Sequence, residues 1–199
     1  MKVNYSKLCS DILDNLDKRE KLLLHSCCGP CSSYVISYLT KYFDITVLYY
    51  NPNIYPQEEY LKRKEEQIRL INELDTDGLV DIMDCDYDND IYEEKIHGLE
   101  NEPERGSRCK VCYKMRMEKT ALLASSNNYD YFSTTLSVSP YKNADWINEI
   151  GEEMESAYNV KWLYSDFKKK DGYKQSILLS QKYNLYRQDY CGCKYSKPH

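Results

Sequence analysis

Seven of the nine cysteines of this chain fall into three short clusters: Cys27, Cys28 and Cys31 in H-S-C-C-G-P-C-S, Cys109 and Cys112 in C-K-V-C, and Cys191 and Cys193 in Y-C-G-C. Thiolate ligands of one metal centre must converge within a few ångströms, and C-x-x-C at a helix start or C-G-C on a tight turn points two sulfurs the same way. Adjacent Cys27 and Cys28 cannot both face the core from one strand, which argues against cysteine used as a small hydrophobe. A redox dithiol built from a single C-x-x-C leaves the other clusters unexplained. A zinc site made of Cys109, Cys112, Cys191 and Cys193 strands the C-C-G-P-C segment. Seven thiols exceed what one tetrahedral ion needs, and soft thiolates favour iron-sulfur chemistry, so an iron-sulfur centre with room for a second metal is the preferred reading. Cys9 and Cys85 stand alone and read as structural.

The elements that would position these residues alternate. An amphipathic helix near residues 5–17 precedes a short apolar strand over 21–26, and a helix over 31–42 follows, with C-C-G-P-C as the turn between them. Further strands are expected at 44–50, 79–83, 131–136 and 160–164. Helices are expected at 57–73, 109–125, 143–158 and 172–183, the first of them with Leu61, Ile68, Ile71 and Leu74 on one face. Strand and helix alternating in this way predict an α/β fold with a doubly wound, mostly parallel sheet. Ligands of such sheets bind beyond the carboxyl ends of the strands where strand order reverses, which is where the C-C-G-P-C turn is expected. Residues 84–108 and 186–199 are the least regular, and the alternating Asp84, Asp86, Asp88 and Asp90 read as a solvated loop.

With 199 residues, 42% hydrophobic and 30% charged, the chain suits one folded domain spanning 1–199 and excludes a tandem array or a disordered segment. No apolar run approaches the roughly 18 residues needed to span a bilayer, and residues 1–20 lack a signal-peptide core, so a cytoplasmic protein without membrane contact is expected. The net charge of −5 argues against broad adhesion to nucleic acid, although a local basic face is compatible with it. Such a face is available in Arg105, Arg108, Lys110, Lys114 and Arg116 around C-K-V-C, in Lys168, Lys169, Lys170 and Lys174, and in Arg187. Twenty-one tyrosines against three phenylalanines supply polar-tipped rings of the kind that stack on bases.

The segments LLHSCCGPCS, YYNPNIYPQEEY, GSRCKVCYKMRMEKTA, FSTTLSVSPYKN and DFKKKDGYKQSILLSQKYNLYRQDYCGC, running from about residue 21 to 196, together resemble the QueH family of epoxyqueuosine reductases. The resemblance implies a HUP-like sheet and an oxidoreductase that reduces epoxyqueuosine to queuosine at the wobble position of tRNA. It implies a 4Fe-4S cluster beside a mononuclear iron, and an electron donor as a further partner. Some members carry Asp where this sequence has Cys31; both are anionic ligands that iron accepts, which supports a ligand role there.

The expected division gives Cys28, Cys31, Cys109 and Cys112 to the cluster and Cys27, Cys191 and Cys193 to the single iron. His25, Tyr141, Tyr186 and Tyr190 are the candidate proton donors, and Arg105, Arg108, Lys168, Lys169, Lys170 and Arg187 the candidate RNA-binding residues. Two other classes fit parts of the pattern. An iron-sulfur tRNA-thiolating enzyme of the ATP pyrophosphatase type would need a Gly/Ser-rich phosphate loop where C-C-G-P-C stands. A zinc-stabilised RNA-binding module would use four thiols structurally and perform no redox chemistry.

Overall fold

The computed structural model describes residues 3–74 and 76–196. Five parallel strands, β1 (Glu20–His25), β2 (Phe43–Leu48), β3 (Val80–Met83), β4 (Tyr131–Thr134) and β5 (Lys161–Trp162), form one sheet in the order β3-β2-β1-β4-β5. The central strand β1 is covered on both faces, so its Leu22-Leu23-Leu24 run is apolar without alternation and wholly buried. Its neighbours pair in register, Leu23 opposite Thr46 of β2 and opposite Phe132 of β4.

Period-two geometry splits the core into two layers. Leu23, Leu48, Phe132 and Trp162 pack with α4 (Asn89–Lys95), α5 (Ser107–Ser126) and α6 (Ala144–Tyr158). Leu22, Leu24, Ile45 and Val47 pack on the other face with α1 (Tyr5–Asp14), α2 (Gly29–Leu39) and α3 (Gln57–Glu73), near α7 (Gly172–Lys182). This is the doubly wound parallel α/β arrangement expected from the alternation of elements. None of the described helices is long and apolar enough to cross a membrane.

Several boundaries differ from expectation for local reasons. The helix expected from residue 31 begins at Gly29, because Pro30 has the preset φ of a first-turn residue and Cys28 takes the N-cap position. The strand expected to reach residue 136 stops at Thr134, whose hydroxyl accepts from the Leu136 amide and starts a 3-10 turn over Thr135–Val138. Within the stretch expected to be irregular, α4 forms over seven residues and buries Tyr92.

The largest departure is in α3. Leu61 and Ile68, expected on its inner face, are 47% and 37% exposed, while Tyr60, Arg63, Gln67 and Leu70 are buried. An apolar stripe was read where the helix instead turns two polar residues inward, and both belong to the site described below.

Beyond β5, a buried network holds the chain against α6. The Asn148 side chain accepts from the Trp162 indole at 3.1 Å and the Ser165 amide at 3.0 Å, and donates to the Ser165 carbonyl at 2.9 Å. Gly151, one turn along, leaves room for the same indole: a Cβ there would lie among the ring atoms of Trp162. Gly151→Ala is therefore expected to destabilise the protein by about 1–3 kcal/mol through overpacking, despite the better helix propensity of alanine, as a lowered urea midpoint with an unchanged slope.

Candidate metal centre

The chain leaves β1 for α2 and β4 for the 3-10 turn on either side of the point where strand order reverses, so the carboxyl ends of β1 and β4 open a crevice. Ser26 continues the sheet by one bond, its amide 2.9 Å from the Leu48 carbonyl, and the Cys27 amide donates to the Thr135 hydroxyl at 3.1 Å. Cys28 is fully extended, with φ −174° and ψ 160°, and Gly29-Pro30 then turns the chain into α2. This switch from extended to helical backbone overcomes the divergence of adjacent side chains. The sulfurs of Cys27, Cys28 and Cys31 lie within 4.8 Å of one another, and those of Cys27 and Cys28 are 3.9 Å apart.

Polar residues of α3 brace this turn. Gln67 Oε1 accepts from the hydroxyls of Ser26 at 2.6 Å and Ser32 at 2.7 Å, pinning both flanks of the C-C-G-P-C segment to one side chain. The Asn51 amide donates to the Ser26 carbonyl at 2.8 Å. Hydrogen bonds from the Cys28 and Cys31 thiols stabilise a thiolate at Cys27 and lower its pKa well below the usual value, while the same contacts raise that of Cys31 and, with burial, push Cys28 up to about 12.

Cys109 and Cys112 lie on the first turns of α5, three residues apart and on one helix face. Cys191 and Cys193 flank Gly192, whose φ of 113° favours glycine and whose carbonyl accepts from the Tyr55 amide at 2.9 Å. Burial pushes Cys112 up to about 12; Arg116 opposes that rise, and the neighbouring Cys191, Cys193 and Cys109 add to it. Cys109 is raised by burial and by Cys191 and Cys193 in the same way. Cys109, Cys112 and Cys193 pack in one core cluster with Cys27 at its edge, and the charge of Cys191 reaches both helix thiols, which marks the four as a second, looser set. All nine cysteines are free.

A cavity of about 340 Å³ is lined by Cys27, Cys28 and Cys31 and, from the second set, by Cys191 alone, together with Arg116, Lys142 and the exposed and half-buried rings of Tyr141 and Tyr190. Lys142 Nζ donates to Cys191 Sγ at 3.1 Å. Arg187 and Tyr173 also line the cavity, with Arg187 Nη2 3.3 Å from the Tyr173 hydroxyl.

Several expected roles change. One turn gathers Cys27, Cys28 and Cys31, so the expected division, which separates Cys27 from the other two, parts three neighbouring sulfurs.

His25 does not qualify as a proton donor. It is fully buried, with Nε2 3.0 Å from the Tyr50 carbonyl and Nδ1 2.8 Å from the Thr134 hydroxyl. A carbonyl can only accept, so Nε2 carries the proton and Nδ1 accepts from Thr134, and burial with the Arg116 charge lowers its pKa to about 3.

Arg108 is 1% exposed, its guanidinium turned to the carbonyls of Leu99, Glu100 and Glu102, and Arg116 is 2% exposed, so neither can meet a phosphate. Tyr186 gives its hydroxyl to Glu59. Arg105 stays exposed at the mouth, 5.3 Å from the Tyr141 ring, and Lys169 and Lys170 are exposed on the turn before α7, beside half-buried Lys168, which pairs with Asp166. Cys9 is buried away in the α1 core, and Cys85 gives its thiol to the Tyr49 carbonyl at 3.3 Å.

Arg63, Gln67 and Lys142 are site residues that sequence reasoning missed, and Arg116 was placed on the wrong side of its helix. The signal for Arg116 was present, since it lies four residues after Cys112 and seven after Cys109 on the same face.

The residues suit a thiolate-bound metal centre. Arg63 Nη2, Gln67 Nε2 and Arg116 Nη2 are buried donors without an acceptor among the described residues, and sulfur held by iron is an acceptor-only, anionic group.

A parallel α/β sheet carrying a cysteine-built crevice at its switch point defines a doubly wound protein with a thiol metal site. The family model for epoxyqueuosine reductase QueH matches residues 22–199. Two curated relatives bear that name: one from Staphylococcus epidermidis (strain ATCC 12228 / FDA PCI 1200), 43% identical over 98% of this chain and 85% of its own length, and one from Streptococcus pyogenes serotype M1, 40% identical over 98% and 78%. The chain belongs to the QueH family of epoxyqueuosine reductases, oxidoreductases of tRNA modification.

Its fold is similar to that of the U34-tRNA thiolase NcsA from Methanococcus maripaludis, solved with its 4Fe-4S cluster. The TM-score is 0.55 at 12% identity, covering 98% of this chain and 67% of that one.

Removing the brace should expose its contribution: Gln67→Leu leaves the Ser26 and Ser32 hydroxyls without their shared acceptor, with an expected loss of about 1–3 kcal/mol in the urea unfolding of metal-free protein.

Proposed function

We propose that this chain reduces epoxyqueuosine to queuosine in the wobble position of tRNA, in the cytoplasm, with the thiol-lined cavity as the reaction site. The observation that carries this reading is the lining of one cavity at the sheet's switch point by four free thiols, Cys27, Cys28, Cys31 and Cys191, in a chain of this family. Converting an epoxide to an alkene removes one oxygen as water and consumes two electrons and two protons. The site must therefore accept electrons from a partner, bind an oxygen that becomes anionic, and deliver protons to it.

Cys27, Cys28 and Cys31 would hold a mononuclear iron, since three close sulfurs leave coordination open for substrate. Cys109, Cys112, Cys191 and Cys193 would hold a 4Fe-4S cluster, whose thiolates are spaced more widely than those of a single ion. When bound, these groups supply single electrons and Lewis acidity. The protein's own residues do the rest. Arg116 and Lys142 bring positive charge to the cavity wall, where a developing alkoxide is favoured. Tyr190, whose pKa burial and Glu59 raise, keeps its hydroxyl proton and with Tyr141 is a candidate donor from the cavity wall.

A wobble base is presented from a single-stranded loop, where it is recognised by stacking and by contacts to the flanking phosphates. Tyr141, 58% exposed under the Arg105 guanidinium, suits stacking. Arg187 lines the cavity, Arg105 lies over the cavity-lining Tyr141, and Lys168–Lys170 shortly precede the cavity-lining Tyr173 in sequence; together they would form the phosphate rim, with Arg108 and Arg116 removed from it.

Anaerobically purified protein is expected to be brown, with about five irons per chain and acid-labile sulfide, and to convert epoxyqueuosine-containing tRNA with dithionite as reductant and without ATP. A colourless protein holding only zinc and showing no turnover would sink the reading. Cys193→Ser should lose iron and turnover, whereas Cys9→Ser should keep both.

Changing Lys168, Lys169 and Lys170 together to glutamate should weaken tRNA binding and flatten its salt dependence by about 2 in the log–log slope. An unchanged slope would remove these lysines from the rim.

A further inference from the structure

Two buried guanidiniums approach the thiols from opposite helices, and their charges are balanced differently. Arg63 of α3, 2% exposed, pairs through Nε with Glu59 at 2.6 Å, gives Nη1 to the Cys191 carbonyl at 3.3 Å, and faces Cys28. Arg116 of α5 is equally buried and gives Nε to the Cys112 carbonyl at 3.2 Å and Nη1 to Asn51 Oδ1 at 3.3 Å. Its partners are all neutral, and no carboxylate among the described residues lies within ion-pair distance of it. It lines the cavity together with Cys27, Cys28, Cys31 and Cys191 and lies one turn from Cys112, so thiols of both sets are near its charge. Each guanidinium leaves Nη2 buried and unpartnered.

An uncompensated buried cation is costly, and truncated pairing is not tolerated in a stable core without an opposite charge nearby. Thiolates are the opposite charge available to Arg116. Glu59, by contrast, cancels much of what Arg63 would contribute.

We propose that Arg116 is the fixed counter-charge of the thiol-held metal centre, and that the balance among Arg116, Arg63 and Glu59 sets its reduction potential. The inference rests on the iron-sulfur reading of the site. Reduction adds negative charge to such a centre, so a nearby cation favours the reduced form and raises the potential, and a nearby carboxylate lowers it.

The test is an anaerobic redox titration, followed by electron paramagnetic resonance, of wild type, Arg116→Gln, Arg116→Lys and Glu59→Gln, with iron and sulfide measured on each sample. The midpoint of Arg116→Gln is expected to move to more negative potential and that of Glu59→Gln to more positive potential, with Arg116→Lys near wild type. Shifts of opposite sign are not produced by general loosening of the fold. An unmoved midpoint in either glutamine variant, or movement of both in one direction, overturns the proposal. Where Arg116→Gln does not accumulate as folded protein, Glu59→Gln decides: a positive shift upholds the charge balance and an unmoved midpoint rejects it. A wild-type protein without iron and sulfide would instead overturn the reading beneath it, and the inference with it.

Discussion

The site depends on how β1 and β4 part company. Side by side, the two strands share backbone hydrogen bonds up to the pairing of His25 with Thr134. Beyond it they diverge, one into α2 and the other into a 3-10 turn, and the backbone can no longer hold them at a fixed separation. Side chains take over: Thr134 gives its hydroxyl proton to His25, His25 gives its own to the Tyr50 carbonyl, and Thr135 receives the Cys27 amide. His25 is thus a cross-link among three strand ends, and its neutrality is what allows it to be buried there. The geometry of the first three thiols follows from that lock.

Around it the protein has placed an unusual amount of polarity in its interior. Arg63, Gln67, Arg108 and Arg116 are all almost fully buried. Arg108 gives Nη1 to loop carbonyls and ties down the stretch that leads into C-K-V-C. All four keep a buried donor in reserve among the described residues, and Arg116 does so at the wall of the thiol cavity. Helix α3 gives up the more usual apolar inner face to deliver two of these residues, and its packing is supported instead by Tyr60, Leu70 and Leu74.

This is also where the sequence is least legible. Strand and helix alternation, the length of α3 and the place of the C-C-G-P-C turn could be read from periodicity and punctuation, since those signals are local. The sulfur clusters were visible because short spacing alone brings thiols together. Which clusters face each other depends on the meeting of α5 with the C-G-C segment, a tertiary matter that spacing does not encode. Hydrophobic periodicity assigns arginine to solvent by default, so it misplaces Arg108 and Arg116, and in α3 it turns the exposed Leu61 and Ile68 inward beside Ile71 and Leu74, which do pack against the core. His25 was ambiguous for the same reason: a histidine at a strand end becomes a donor or a cross-link according to whether a carbonyl and a hydroxyl await it.

The C-G-C segment has one more implication. Gly192 is anchored to Tyr55, and its neighbour Cys191 to Arg63 and Lys142, so this late stretch of chain is sewn to residues synthesised long before it. A ribosome-bound intermediate that has already built the sheet still lacks two of its seven clustered sulfurs. Any metal that needs all seven sulfurs can be bound only once this late stretch has been synthesised and has reached Tyr55 and Arg63.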